Sequence, residues 1–147
     1  MRRHLGAVAF ASTLTGIILA GMNVPATAAE SARPNSMQFS LRTEGPASSC
    51  GDKCRVWVSA SGMIRPETVT DFEAFAQKND IRGATIAFES EGGSVLGAIA
   101  LGRSVRRLGM TTTVGRTTEL ANGRASLSPR ADCESMCAFV LLAGVKR

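Results

Sequence analysis

Gly83-Ala-Thr-Ile-Ala-Phe88, Glu89-Ser-Glu-Gly-Gly-Ser94, Val95 to Leu108, Gly109 and Met110-Thr-Thr-Thr-Val114 form one unbroken stretch, and its reading decides the fold. The first block is mainly apolar, as a strand covered on both faces should be. A turn of small residues follows, and Ser94 is placed to cap a helix. Val95, Ala98, Ile99, Gly102, Val105 and Leu108 recur at helical spacing and predict the buried face of that helix. Gly109 stops it. The short β-branched run 110–114 reads as the next strand. Strand, helix, strand in this order is a βαβ unit.

The same alternation extends outward. Before this stretch, Arg55-Val-Trp-Val-Ser-Ala60 reads as a strand, Ser61-Gly62 as a turn, and Pro66 as the opening of a helix, a position proline favours. Val69, Phe72, Phe75 and Ala76 keep helical spacing until Asn79-Asp80. Further back, Met37, Phe39 and Leu41 alternate with polar residues, the period of a half-buried strand, and Thr43 to Lys53 reads as a loop. After the central stretch, Arg116 to Asp132 reads as a polar loop. Ser135 to Ala143 is nearly all apolar and is read as a buried helix. The whole predicts an α/β domain over 37–147, a right-handed parallel sheet with helices packed on it.

Composition agrees with one globular domain. The chain has 147 residues, 44% hydrophobic and 20% charged, with a net charge of +5. Met1-Arg2-Arg3-His4 is cationic, Leu5 to Met22 carries no charge, and Val24-Pro25-Ala26-Thr27-Ala28 ends in small residues. That order is a signal peptide over 1–28, cleaved after Ala28, with a linker over 29–36. The expected destination is the periplasm; an uncleaved inner-membrane anchor is the alternative. Removing Arg2 and Arg3 leaves 15 basic against 12 acidic residues, a net +3 that is too scattered to suggest nucleic acid.

Four cysteines in an exported chain favour disulfides. Cys50-Gly-Asp-Lys-Cys54 holds a turn, so Cys50–Cys54 is the preferred bridge. Cys133 and Cys137 are harder to join. Residues four apart on a helix have Cβ atoms about 5–6 Å apart, beyond the roughly 3.5–4.5 Å a disulfide spans. They can bond only if Cys133 lies before the helix begins. A four-thiolate zinc site is the rival, disfavoured by the looser C-x3-C spacing. No metal and no cofactor is expected.

Two features could carry chemistry. Gly92-Gly93-Ser94, between a strand and a helix, lets the backbone approach a ligand and present N–H groups; its ordinary reading is a turn needing positive φ. Neither a G-x-G-x-x-G pattern nor a P-loop is present. Ser135 opens the apolar helix; its ordinary reading is a helix cap. In a catalytic reading, the Met136 and Gly93 N–H groups would face a developing oxyanion near its hydroxyl.

Glu91-Gly-Gly-Ser-Val95, Thr111-Thr-Thr-Val-Gly115 and Ser135-Met-Cys-Ala-Phe-Val-Leu-Leu-Ala-Gly144, in this order, resemble the proteolytic subunit of Clp protease and its exported, periplasmic relatives. The likeness covers about 55–147. It implies a crotonase-like spiral of βαβ units, incomplete at the carboxyl end, with Ser135 as nucleophile. Gly93 and Met136 are then the oxyanion-hole donors, and Gly92 and Ser94 bind substrate, a peptide or protein segment. The family carries glycine where Cys137 stands.

The family's His and Asp lie beyond the serine helix, and the single histidine here is His4. The chain is therefore expected to represent the amino-terminal portion of a serine peptidase-like protein and to be inactive as written. The alternative is a non-catalytic periplasmic binding or envelope protein on the same scaffold. A Ser–Lys arrangement would need Lys53, Lys78 or Lys146, and no spacing singles one out.

Overall fold

Apolar alternation builds the sheet, and glycine-bearing turns send each strand into the helix that covers it. The computed structural model describes residues 35–147; the expected signal peptide and all but the end of the linker lie outside the described residues. In chain order the elements are β1 (Gln38–Thr43), α1 (Ala47–Cys50), β2 (Val56–Ser61), α2 (Thr68–Lys78), β3 (Thr85–Glu89), α3 (Val95–Arg107), β4 (Thr111–Val114), β5 (Arg116–Glu119), β6 (Ala125–Ser128) and α4 (Met136–Leu142). A 3-10 turn at Gly51–Lys53 follows α1, and another at Ala121–Gly123 joins β5 to β6.

The main sheet has the order β1-β2-β3-β4. β2, β3 and β4 run parallel, connected by α2 and α3, as the βαβ reading requires. β1 departs from it: the strand is there, but it pairs antiparallel to β2, with Phe39 opposite Ala60 and Leu41 opposite Val58. The sheet is mixed.

One face of the sheet carries the main core. Val58, Ala60, Ile86 and Phe88 project there against Phe72 of α2, Ala98, Leu101 and Val105 of α3, and Cys137 and Val140 of α4. Each fully buried large apolar side chain contributes about 1.5–3 kcal/mol. The buried face of α3 is turned from the expected one. Ala98, Gly102 and Val105 are buried as predicted, but Val95 and Ile99 are 55% and 43% exposed. Small residues decide the orientation: a Cβ on Gly97 would stand 2.2 Å from the Arg65 carbonyl oxygen, and one on Gly102 would stand 3.2 Å from Ala143 Cβ. α3 presents these gaps to its neighbours, and Val95 and Ile99 turn outward.

The opposite face is covered by a structure the sequence reading missed. Arg116–Asp132 is not simply a loop: β5 and β6 pair antiparallel as a hairpin, Arg116 opposite Ser128 and Glu119 opposite Ala125. Ala125 and Leu127 pack on Trp57 and Ala87. The Trp57 indole N–H donates to Thr117 Oγ1 at 3.0 Å, satisfying the one polar atom of that buried ring. Beyond α4, Lys146 bridges Thr111 in parallel, and the Val145 N–H donates to the Met110 carbonyl at 2.9 Å.

Both cysteine pairs are disulfides, Cys50–Cys54 with Cα atoms 4.7 Å apart and Cys133–Cys137 with 5.2 Å. The condition set by helix geometry is met, because α4 begins at Met136 and Cys133 lies before it. With all four thiols paired, the zinc alternative is gone. No helix among the described residues is long and apolar enough to cross a membrane.

Candidate functional site

The site lies past the carboxyl end of β3, where two backbone turns meet. The first is Glu91-Gly92-Gly93-Ser94. Gly92 and Gly93 take φ of 92° and 136°, values that side chains disfavour. The turn is held by the segment after β2: the Ile64 N–H donates to the Gly92 carbonyl at 2.8 Å, and the Ser94 N–H donates to the Ile64 carbonyl at 2.7 Å. A Cβ on Gly93 would lie 2.1 Å from that same carbonyl oxygen, so the position admits no side chain. Ser94 caps α3 as predicted, its Oγ accepting the Gly97 N–H at 3.1 Å.

The second turn is Glu134-Ser135-Met136. The chain approaches it beside Ser90, whose N–H donates to the Asp132 carbonyl at 2.8 Å while the Glu134 N–H donates back to the Ser90 carbonyl at 2.9 Å. At Ser135 the backbone reverses with φ 49° and ψ −123°, and α4 begins. Serine stands at the cap position but makes no side-chain capping hydrogen bond, so the ordinary reading of Ser135 fails. Its side chain is exposed.

The two turns touch. A Cβ on Gly92 would lie 2.9 Å from Ser135 Cβ and 3.0 Å from the Met136 nitrogen. Glycine at 92 is what lets the serine turn approach. The Gly93, Ser135 and Met136 N–H groups have no acceptor among the described residues, whereas those of Gly92, Ser94, Glu134 and Cys137 are bonded. Thus Gly92, Gly93, Ser94, Ser135 and Met136 are gathered at one place although Gly93 and Ser135 are 42 positions apart. Both cysteines of the second disulfide flank it, Cys137 fully buried and Cys133 half-buried.

Sequence reasoning missed the charged neighbours. Arg116, at the start of β5, pairs with Glu89 and stands 3.8 Å from Asp132. The hydrogen bond with Glu89 and its charge raise the Arg116 pKa above its ordinary value. Together with Ser90 and Glu91 these residues line an open hollow of about 440 Å³ beside the Ser90–Cys133 bridge. The signal for the hairpin that brings Arg116 here was present: Asn122-Gly123, both at positive φ, is a hairpin dipeptide.

No histidine occurs among the described residues, and His4 lies outside them. The three lysines considered as bases sit at the far end of the sheet. Lys53 precedes β2, Lys78 ends α2, and Lys146 bridges the first residue of β4. Among the described residues no cluster of three His, Cys, Asp or Glu side chains could hold a metal ion. No protein-family model, curated protein or solved structure matches the chain.

Proposed function

We propose that the paired turns are the acyl-binding half of a serine hydrolase-like site in an exported protein, as the resemblance to the Clp protease proteolytic subunit implies. Ser135 is the nucleophile, and the Gly93 and Met136 N–H groups are the oxyanion donors. Gly92 and Ser94 shape the floor against a peptide or protein segment. The observation that carries this is Ser135 itself. It holds a backbone conformation that costs about 1–3 kcal/mol in a non-glycine residue, without forming a cap, directly against Gly92 of the glycine turn and next to the unpaired Met136 N–H. A serine forced into a sharp turn before a helix, its hydroxyl exposed, is how nucleophilic serines are presented elsewhere. The two disulfides are compatible with the oxidising compartment the leader implies.

The described site has a nucleophile and donors without a base. A serine hydroxyl lacking a base is weak, and binding plus oxyanion donors leave only a residual part of catalysis. This favours slow, site-selective reactivity over turnover, and keeps carbonyl binding without catalysis as the second reading.

A fluorophosphonate probe tests the proposal. Attack forms the Ser135 Oγ–P bond, breaks P–F, and releases fluoride and a proton to water. Peptide mapping should find label at Ser135 ahead of the other serines. The rate should be at least about 10³-fold below that of a complete triad. Ser135→Ala should abolish labelling and Gly92→Ala should reduce it. Label spread over surface serines would reject the site; labelling at the rate of an active hydrolase would reject the missing base.

A further inference from the structure

We propose that the Cys133–Cys137 disulfide is a positioning device for Ser135, so that the redox state of this pair sets whether the Ser135–Met136 turn is held against Gly92. This deepens the reading of Ser135 as the reactive residue and rests on it. The bridge closes a ring of five residues with Ser135 at its centre. Ser135 sits at φ 49°, and its unstrained alternative is the ordinary helical conformation, which would extend α4 backward by part of a turn. Carried back through Glu134 to Cys133, such a helix would break the β-bridge to Ser90 and make Cys133 and Cys137 helix neighbours, with Cβ atoms about 5–6 Å apart, too far for a disulfide's roughly 3.5–4.5 Å. The bridge and the relaxed helix therefore exclude each other. The other restraints hold the neighbours and the carbonyl of the serine: Ser90 fixes the backbone at Asp132 and Glu134, the Cys137 N–H returns to the Glu134 carbonyl at 2.9 Å, and the Ala138 N–H donates to the Ser135 carbonyl at 3.1 Å, as it can in a helix. Gly92 permits the close approach but does not enforce it. The covalent ring and the Ser90 bridge together oppose the helical escape, and the ring is the part that reduction opens.

The pair is open to exchange from one side. Cys137 is fully buried and Cys133 half-buried, so an incoming thiolate attacks the Cys133 sulfur. With a dithiol as the two-electron reductant, the S–S bond breaks and Cys137 leaves and takes a proton. The second thiol of the reductant then displaces Cys133, giving two cysteine thiols and a cyclic disulfide of the reductant. Oxidation in the compartment restores the ring.

The full chain is compared oxidised, after reduction by dithiothreitol, and as Cys133→Ala/Cys137→Ala, with Cys50→Ser/Cys54→Ser as control. Two readouts are taken, the amide shifts and exchange rates of Gly93 and Met136, and the fluorophosphonate labelling rate at Ser135. Loss of the second bridge should speed Met136 exchange and lower labelling at least tenfold, and the control should change neither. Adding Ser135→Gly to the Cys133→Ala/Cys137→Ala variant should restore the Gly93 and Met136 amide shifts, since glycine holds φ 49° without strain. Unchanged amides after reduction overturn the inference while leaving labelling, and so the site, intact. Failure of glycine to restore the amides, or global unfolding on reduction, makes the bridge a staple of the fold and also overturns it. Amides that respond as stated in a protein never labelled at Ser135 uphold the device and overturn the hydrolase reading instead.

Discussion

Cys50–Cys54 and Cys133–Cys137 enclose rings of equal length, yet the two loops differ in what they build. Each contains one residue in nearly the same unusual backbone conformation: Gly51 at φ 53°, ψ −127°, and Ser135 at φ 49°, ψ −123°. In the first loop the position is glycine, residues 51–53 are exposed, and a Cβ on Gly51 would meet nothing within 4 Å. The chain makes a turn there with the residue best suited to it. In the second loop the same conformation is occupied by serine, braced by a buried cysteine and pressed against Gly92. A turn alone does not need a serine. The difference is that the second loop carries a hydroxyl at a backbone conformation glycine would hold without strain, and strain of this kind clusters at functional sites.

The largest effect that separates the two regions comes from adding one methyl group to each. Gly93→Ala places a Cβ against the Ile64 carbonyl oxygen, whose hydrogen bond to Ser94 holds the first turn. Backbone strain of about 1–3 kcal/mol adds to overpacking of about 1–3 kcal/mol, a large share of a domain's total of about 5–15 kcal/mol. Gly51→Ala carries only the conformational part. Thermal melts followed by circular dichroism should show Gly93→Ala strongly destabilised or unfolded and Gly51→Ala only moderately affected. Equal shifts would mean that the glycine turn beside Ser135 is no tighter than a surface loop.

A smaller and opposite pair of effects follows from exchanging the two residues. Ser135→Gly releases strain of about 1–3 kcal/mol and adds the entropy loss of glycine, about 0.5–1 kcal/mol. The variant should be more stable by about 1 kcal/mol, and Gly51→Ser less stable by a similar amount. Urea midpoints at unchanged slope measure both. Should Ser135→Gly prove destabilising, the serine turn is not strained and the argument from its conformation collapses.

Much of this comparison's scaffold was legible and its strain was not. The period of Val69, Phe72 and Phe75, the apolar run to Phe88 and the Ser94 cap located β3, α2 and α3, because burial on a helix or central strand writes itself into spacing. The hairpin did not, since Arg116-Thr-Thr-Glu119 and Ala125-Ser-Leu-Ser128 are short, half-exposed and mostly polar, with only Ala125 fully buried. The direction of β1 is equally invisible: Phe39 and Leu41 alternate identically in a parallel or antiparallel pair. The two turns of the candidate site were legible as two motifs, whereas the contact of Gly92 with Ser135 depends on tertiary packing. That Ser135 adopts a glycine's conformation is a backbone fact with no sequence period behind it.

The smallest effect is electrostatic, and it sorts the two regions by which carboxylate backs each. Glu44 lies before the first disulfide loop; its side chain accepts from Arg55 Nη2 at 2.5 Å and from the Arg55 backbone N–H at 3.2 Å. Those bonds hold its carboxyl below the ordinary value of 4.5. Glu73 of α2 accepts from Ser104 Oγ at 2.8 Å and from Arg107 at 2.7 Å, both on α3, the helix that follows the glycine turn. The Ser104 bond, then Arg107, lowers its pKa likewise. A carboxyl whose folded pKa is lowered binds its proton more readily in the unfolded chain. Its stabilising contribution is therefore complete above about pH 4.5 and is lost as pH falls through the folded value. Both groups are solvent-accessible and each contribution is small. Amide protection, the slowing of exchange relative to its intrinsic rate at each pH, should fall from pH 6 down to pH 3 at the Cys50–Cys54 loop through Glu44 and along α2 and α3 through Glu73. Glu44→Gln should remove the first response and Glu73→Gln the second. If Glu73→Gln leaves α3 protection as acid-sensitive as before, the helix behind the glycine turn is not tied to α2 by this carboxylate.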